Sequence, residues 1–169
     1  MTITAPVPAT TSLVPITDAH FRWMLGKQAA PSPGLTLPPG GVDGGETLAI
    51  VRRMTRRLHE AGSRGSWMMV CGAEIVGLCS YKQAPNAQGE VEIGYGVAPS
   101  CRGRGHATGA VAAMLDYARS DPAVHAVTAA TAAANRASQR ALERNGFAQA
   151  GTGNDPDDGD LIFWRRQLR

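Results

Sequence analysis

Val97-Ala98-Pro99-Ser100-Cys101-Arg102-Gly103-Arg104-Gly105-His106-Ala107-Thr108 joins the end of an apolar segment to the start of a helical one. Upstream, residues 90–97 form a strand that Pro99 closes. Downstream, Ala107, Ala110, Val111, Met114, Leu115 and Ala118 recur at i, i+3, i+4 and i+7, which predicts a helix to about Arg119. A tight turn into a helix leaves backbone N–H groups pointing outward without intrahelical partners. They coincide with the positive end of the helix dipole and so form an anion site. Gly103 and Gly105 remove the Cβ atoms that would hold a phosphate off the backbone. Arg102 and Arg104 add charge, and Thr108 offers a hydroxyl in the first helical turn. A glycine turn with no ligand is the plain alternative, but the flanking arginines and the helix start favour a phosphate. Gly103-x-Gly105-x-x-Thr108 lacks the third glycine of a dinucleotide fingerprint, and no acidic residue ends the following strand. A Gly-Lys-Ser/Thr triphosphate loop is also missing.

Working outward, Thr17-Asp18 caps a short helix to about Leu25. Residues 29–45 hold Pro31, Pro33, Pro38 and Pro39 among several glycines and read as a loop. Residues 46–61 follow as a helix, with Ile50, Val51, Met54, Leu58 and Ala61 as its apolar stripe. Residues 67–70 and 74–81 read as a hairpin around Gly72-Ala73. After the glycine-rich turn and its helix come a strand over 124–130 and a helix over 135–144 ended by Gly146. Strands over 147–150 and 161–167 close the chain, joined by an acidic turn around 155–160. Helices alternating with strands, with hairpins at the start and end, predict a mixed α/β sheet.

A length of 169 residues suits one domain with a sizeable core. We assign residues 1–12, rich in Thr, Ala and Pro, to a flexible tail without signal-peptide character, and residues 13–169 to a single domain. No apolar run is long enough for a bilayer, so no membrane partner is expected. The three cysteines argue against a disulfide framework and for a reducing, cytoplasmic setting. His20, His59, His106 and His125 are scattered without zinc-like spacing, so no metal is expected. A net charge of +3 suits an anionic small ligand and does not favour nucleic acid. Arg52, Arg53, Arg56 and Arg57 read as a solvated helix face. Trp23, Trp67 and Trp164 are expected in the core.

Arg102-Gly103-Arg104-Gly105-His106-Ala107 resembles the Arg/Gln-x-x-Gly-x-Gly/Ala signature of the GNAT superfamily of N-acetyltransferases. Gly89-Glu90-Val91-Glu92-Ile93-Gly94-Tyr95-Gly96-Val97 is similar to the family's splayed central strand. Residues 135–147, from Asn135 to Phe147, are similar to its second CoA-binding helix. The resemblance implies a largely antiparallel sheet splayed at its middle strands and flanked by helices. It also implies acetyl-CoA as cosubstrate. The pyrophosphate would lie on the amides of Arg102, Gly103, Arg104, Gly105, His106, Ala107 and Thr108. The pantetheine arm would pair with Gly96, Val97 and Ala98, and Asn135 would contact the cofactor. Asn135 is equally placed to cap its helix.

Acyl transfer to an amine needs a base for the ammonium proton, a donor for the oxyanion and a proton for the thiolate. Glu92 is the candidate base, with Glu90 on the same strand face in reserve, and a solvent-facing role is the alternative for both. The amide of Val97 is the oxyanion donor implied by the resemblance. Many family members carry a tyrosine seven residues after the helix asparagine, where this chain has Leu142. Ser138, one turn after Asn135 on the same helix face, is the candidate partner for the thiol. Cys101 has no base placed near it by sequence, which favours direct transfer over a covalent enzyme intermediate. The strand and the Asn-x-x-Ser helix resemble the branch that includes ribosomal-protein N-terminal acetyltransferases. The expected acceptor is therefore a small-molecule amine or a peptide N-terminus. A non-catalytic acyl-CoA-binding or sensor module is the alternative, and a homodimer is the default assembly for a soluble enzyme.

Overall fold

The computed structural model describes residues 10–169. Its strands are β1 (Thr11–Pro15), β2 (Ser66–Cys71), β3 (Glu74–Tyr81), β4 (Glu90–Val97), β5 (Ala126–Ala132), β6 (Ala148–Asp155) and β7 (Gly159–Gln167). They form one sheet in the order β1-β2-β3-β4-β5-β7-β6. Only β4 and β5 pair in parallel, because the helix between them returns the chain to the same end of the sheet.

Alternation along the strands gives each face its own core. Met69, Val76, Val91, Ile93 and Val127 point to one side and pack with Val111, Met114 and Leu115 of α3 (His106–Ser120) and Leu142 of α4 (Arg136–Arg144). Met68, Val70, Ile75 and Leu78 point to the other and pack with Phe21 of α1 (Asp18–Met24), Leu48 of α2 (Gly45–Glu60) and Val42. Helices thus cover both faces of the mixed, mostly antiparallel sheet expected from the sequence.

That sheet opens in the middle. β4 and β5 are in register from Glu90↔Ala126 to Ile93↔Ala129 and then part. Beyond that point β4 stays with β3, through Tyr95↔Cys79 and Val97↔Gly77. β5 stays with β7, through Ala130↔Phe163 to Ala132↔Leu161.

Several elements differ from the sequence reading. Thr11 and Ser12, assigned to the tail, belong to β1, which pairs with β2 along the sheet edge; residues 1–9 of that tail lie outside the described residues. A polar pair replaces part of the apolar stripe of α2: Thr55 is buried and shares a 2.7 Å hydrogen bond with Ser66, while Ile50 is 50% exposed. The stripe was misread because Thr55 satisfies its hydroxyl on Ser66 of the next strand, which removes the cost of burying it. Arg52 is not simply solvated; it donates to both carboxylate oxygens of Asp18 at 2.6 and 2.8 Å and ties α2 to α1. The loop over residues 29–45 is anchored by backbone bonds from Thr36 N–H to Ala73 O and from Ile75 N–H to Thr36 O. β6 and β7 run longer than expected, leaving only residues 156–158 as their turn. Trp67 and Trp164 are core residues, and Trp23 packs partly buried against the second cluster.

Candidate active site

Between β4 and α3 the chain passes through a 3-10 turn, Pro99–Cys101, which the sequence reading did not resolve. Gly103 and Gly105 then take φ values of 76° and 81°, and Gly105 sits as the residue before the first turn of α3. A Cβ at either position would meet no protein atom within 4 Å, so both face open space. Strain from the left-handed backbone therefore accounts for glycine here, together with clearance for whatever enters. Arg102 and Arg104 bend back onto their own loop, donating to Val97 O and Ser100 O at 3.3 Å each. His106 begins α3 as a buried residue, with Thr11 Oγ1 2.9 Å from its Nδ1. Burial holds its pKa below the ordinary imidazole value, and Arg104 pushes the same way against an opposing pull from Glu74.

The loop opens into a cavity of about 680 Å³ that runs along the splayed edge of β4 to the first turns of α4. Tyr95, Gly96, Val97, Gly103, Gly105 and Thr108 contribute from the β4–α3 side. Asn135, Ser138, Arg140 and Arg144 contribute from α4 and its cap. Backbone alternation fixes what β4 presents. Lys82 N–H donates to Glu92 O, and Ala98 N–H donates to Val76 O, so even-numbered residues turn their polar groups to β3. The N–H and C=O of Val97 therefore face the opened edge, where β5 has already left. An extended ligand can pair there as an added strand. Its phosphates would reach the glycine turn, so the residues present fit an acyl-CoA.

The cofactor-side residues expected from sequence line this one cavity except Arg104, which bends back to Ser100 O, and Ala98, which is fully buried and bonded to Val76. Asn135 caps α4: its Oδ1 accepts the Ser138 N–H at 3.1 Å. Ser138 lines the cavity. Leu142 is 0% exposed inside the core, one turn below. Tyr95 was not singled out from sequence. Its ring lies at the end of the cavity, and its hydroxyl donates to Ser138 O at 3.1 Å. Burial pushes this hydroxyl up to about 12, against the opposing effect of that bond. Arg140 and Arg144 were also missed, because an arginine on a helix face carries no local mark of what it faces. Asn145 was missed too; its Nδ2 donates to Thr108 O at 3.0 Å and Ala141 O at 2.8 Å, locking α4 to the first turn of α3. Cys101 is buried, and its Sγ donates to Glu74 Oε1 at 3.5 Å.

Glu90 and Glu92 lie on the opposite face of β4 from Tyr95. Glu92 Oε1 is 2.6 Å from Lys82 Nζ, and Glu90 Oε1 is 2.9 Å from Arg165 Nε. Neither carboxylate opens into the larger cavity. Lys82, the ion-pair partner of Glu92, lines a smaller space on the α2 side. Among the described residues, no helix is long and apolar enough to cross a membrane.

Similar proteins agree with this geometry. The solved structure of a ribosomal L7/L12 alpha-N-protein acetyltransferase in complex with coenzyme A superposes with a TM-score of 0.71 at 20% identity, covering 96% of this chain and 97% of that one. Its counterpart from Salmonella typhimurium gives 0.71 at 18% identity, over 97% of this chain and 98% of that one. A spermidine N-acetyltransferase chimera from Vibrio cholerae gives 0.69 at 16% identity, over 94% and 96%. No curated protein matches the chain in sequence. The family model described as an acetyltransferase (GNAT) domain matches residues 12–148. With the splayed sheet, the glycine turn and that match in agreement, the chain belongs to the GNAT acetyltransferase family.

Proposed function

We propose that this protein transfers an acetyl group from acetyl-CoA directly to the primary amine of a small molecule or a peptide N-terminus. The observation that carries the proposal is the single cavity joining the opened edge of β4 to the positive-φ glycine turn. It offers an anion cradle and a strand-like edge in one continuous space.

Each group on the page has a role in this reading. The amides from Arg102 to Thr108 hold the diphosphate, with Arg140 and Arg144 adding charge from α4. Val97 N–H faces the thioester carbonyl and stabilises the oxyanion as the amine attacks. Glu92 takes the ammonium proton on the α2 side, where Lys82 holds the carboxylate in place. Tyr95 is the proton source for the departing thiolate: burial makes its hydroxyl a weaker acid than an ordinary tyrosine, and the hydroxyl turns from Ser138 O to deliver its proton. This assigns to Tyr95 the task that Leu142 cannot perform. Ser138 supports it, fixing the Tyr95 hydroxyl through its carbonyl and lining the cavity beside it.

Purified protein incubated with acetyl-CoA and a panel of amines and N-terminal peptides should release free thiol in proportion to acetylated product. The rival reading, a non-catalytic acyl-CoA sensor, is favoured by one observation, the burial of Leu142 where many relatives place an acid. It predicts saturable CoA binding with no thiol release from any acceptor, and that result would refute transfer.

A further inference from the structure

The core on the α1/α2 face ends before the sheet does. Its strand residues come from β2 and β3, with Leu78 the last, and β4 contributes none. In place of side chains β4 presents Gly94 and Gly96 on this face. A Cβ on Gly96 would meet nothing within 4 Å, and one on Gly94 would touch only the Lys82 side chain, at 3.5 Å. Above them α2 lends Thr47, Val51 and Met54, at helical spacing, and β4 offers no side chain at Gly94 and Gly96 to meet them. The result is a cavity of about 180 Å³ with mostly carbon walls. Tyr95 and Gly96 line both this space and the larger one, so the two flank β4 from opposite faces where it leaves β5.

Resting on the acyl-transfer reading above, we propose that this cavity receives the acceptor and selects an amine bearing one compact apolar group, of phenyl or isobutyl size. An apolar cavity of about 150 Å³ accommodates benzene, so the space fits one such group and no longer chain. Two charged residues line it: Asp43, which also accepts the Gly44 N–H at 2.7 Å, and Lys82, engaged by Glu92 at 2.6 Å. Asp43 favours approach of the ammonium form, and Glu92 lies behind Lys82 to take its proton. A polyamine would have to place a second charge against Val42, Val51, Met54 and Leu78, which offer no hydrogen bond.

The test compares kcat/KM for benzylamine, isoamylamine, spermidine, and short peptides beginning with Leu, Phe, Ser or Asp. The apolar amines or the Leu and Phe peptides should lead by about 10-fold or more, the scale on which hydrophobic pockets discriminate. Small amines leading would identify a metabolite as acceptor, and peptides leading would identify a protein N-terminus. Val51→Phe should fill the cavity and lower kcat/KM for the leading acceptor about 10-fold through KM, with the Kd for CoA unchanged. Met54→Ala should enlarge the cavity and move preference toward a bulkier amine such as 2-phenylethylamine, a gain that misfolding cannot mimic. CoA binding and thiol release with spermidine or the Ser and Asp peptides ahead would overturn this inference alone. Absence of CoA binding would overturn the function beneath it.

Discussion

The two spaces that flank Tyr95 are built by different means. On the α3/α4 side, the working groups are mostly backbone: the amides of a left-handed glycine turn and the edge of β4 that β5 has left. On the α1/α2 side, the space is defined by side chains and by the lack of them at Gly94 and Gly96. Backbone sites tolerate drift in neighbouring residues but not at the glycines themselves. Side-chain cavities can be resized one residue at a time. The cofactor side should therefore be brittle at a few positions, and the acceptor side adjustable at many.

The largest expected effect separates chemistry from binding. Glu92→Gln should lower kcat/KM by ~10²–10⁴, the usual contribution of a general base, while the Kd for CoA stays constant in calorimetry. A change of less than threefold would move the base elsewhere, with Asp43 the next carboxylate to replace. Tyr95→Phe should cost toward the lower end, ~10² in kcat, because a thiolate leaves more readily than poorer leaving groups and needs its proton less. Its KM for acetyl-CoA should stay within a few-fold, since the ring remains.

Next come effects on stability. Leu142→Tyr, which puts the missing acid back at its usual place, should instead destabilise the protein by ~1–3 kcal/mol through overpacking, read as a lower denaturation midpoint. A restored or raised kcat in that variant would mean the core yields there. Gly105→Ala should cost ~1–2 kcal/mol because its φ of 81° is left-handed. CoA affinity should fall by at least a further ~10-fold, since the new methyl enters the cradle.

The smallest effect concerns pH. His106 and His20 are both held below the ordinary imidazole value, chiefly by burial. The unfolded chain therefore binds more protons than the folded one as pH drops. Their contribution to stability is fully present above about pH 6.5, their unperturbed value, and is lost as pH falls through it. Thermal midpoints between pH 7.5 and 5.5 should fall, and His106→Gln should flatten that slope. An unchanged slope would assign it to other groups.

The same contrast explains what could be read from sequence. The glycine turn was legible because a left-handed backbone demands glycine, and Gly103 and Gly105 mark it directly. Asn135 and the helix it caps were legible for a similar local reason. The turn residues that flank them, Gly72-Ala73 and then the Pro/Asn/Gly turn and Pro99, located β3 and β4 to the residue. β1 was missed because Thr11-Ser12-Leu13-Val14-Pro15 gains its strand only by pairing with β2, a contact with no local signal. Thr55 broke the stripe of α2 because its partner, Ser66, is distant in sequence. Tyr95 looked like any strand tyrosine; its importance comes from the departure of β5 two residues earlier, which only the assembled sheet reveals. The acceptor space was illegible for the strongest reason: it is defined by what β4 does not carry.

The most direct test of the whole account is calorimetric titration of the folded protein with coenzyme A, run beside dephospho-CoA and the Gly105→Ala variant. The account predicts saturable one-to-one binding of coenzyme A that weakens in the variant. Loss of the 3′-phosphate should reduce affinity only in part, because the diphosphate cradle remains. Folded protein that gives no heat of binding, or binds equally well with the cradle blocked, would contradict it.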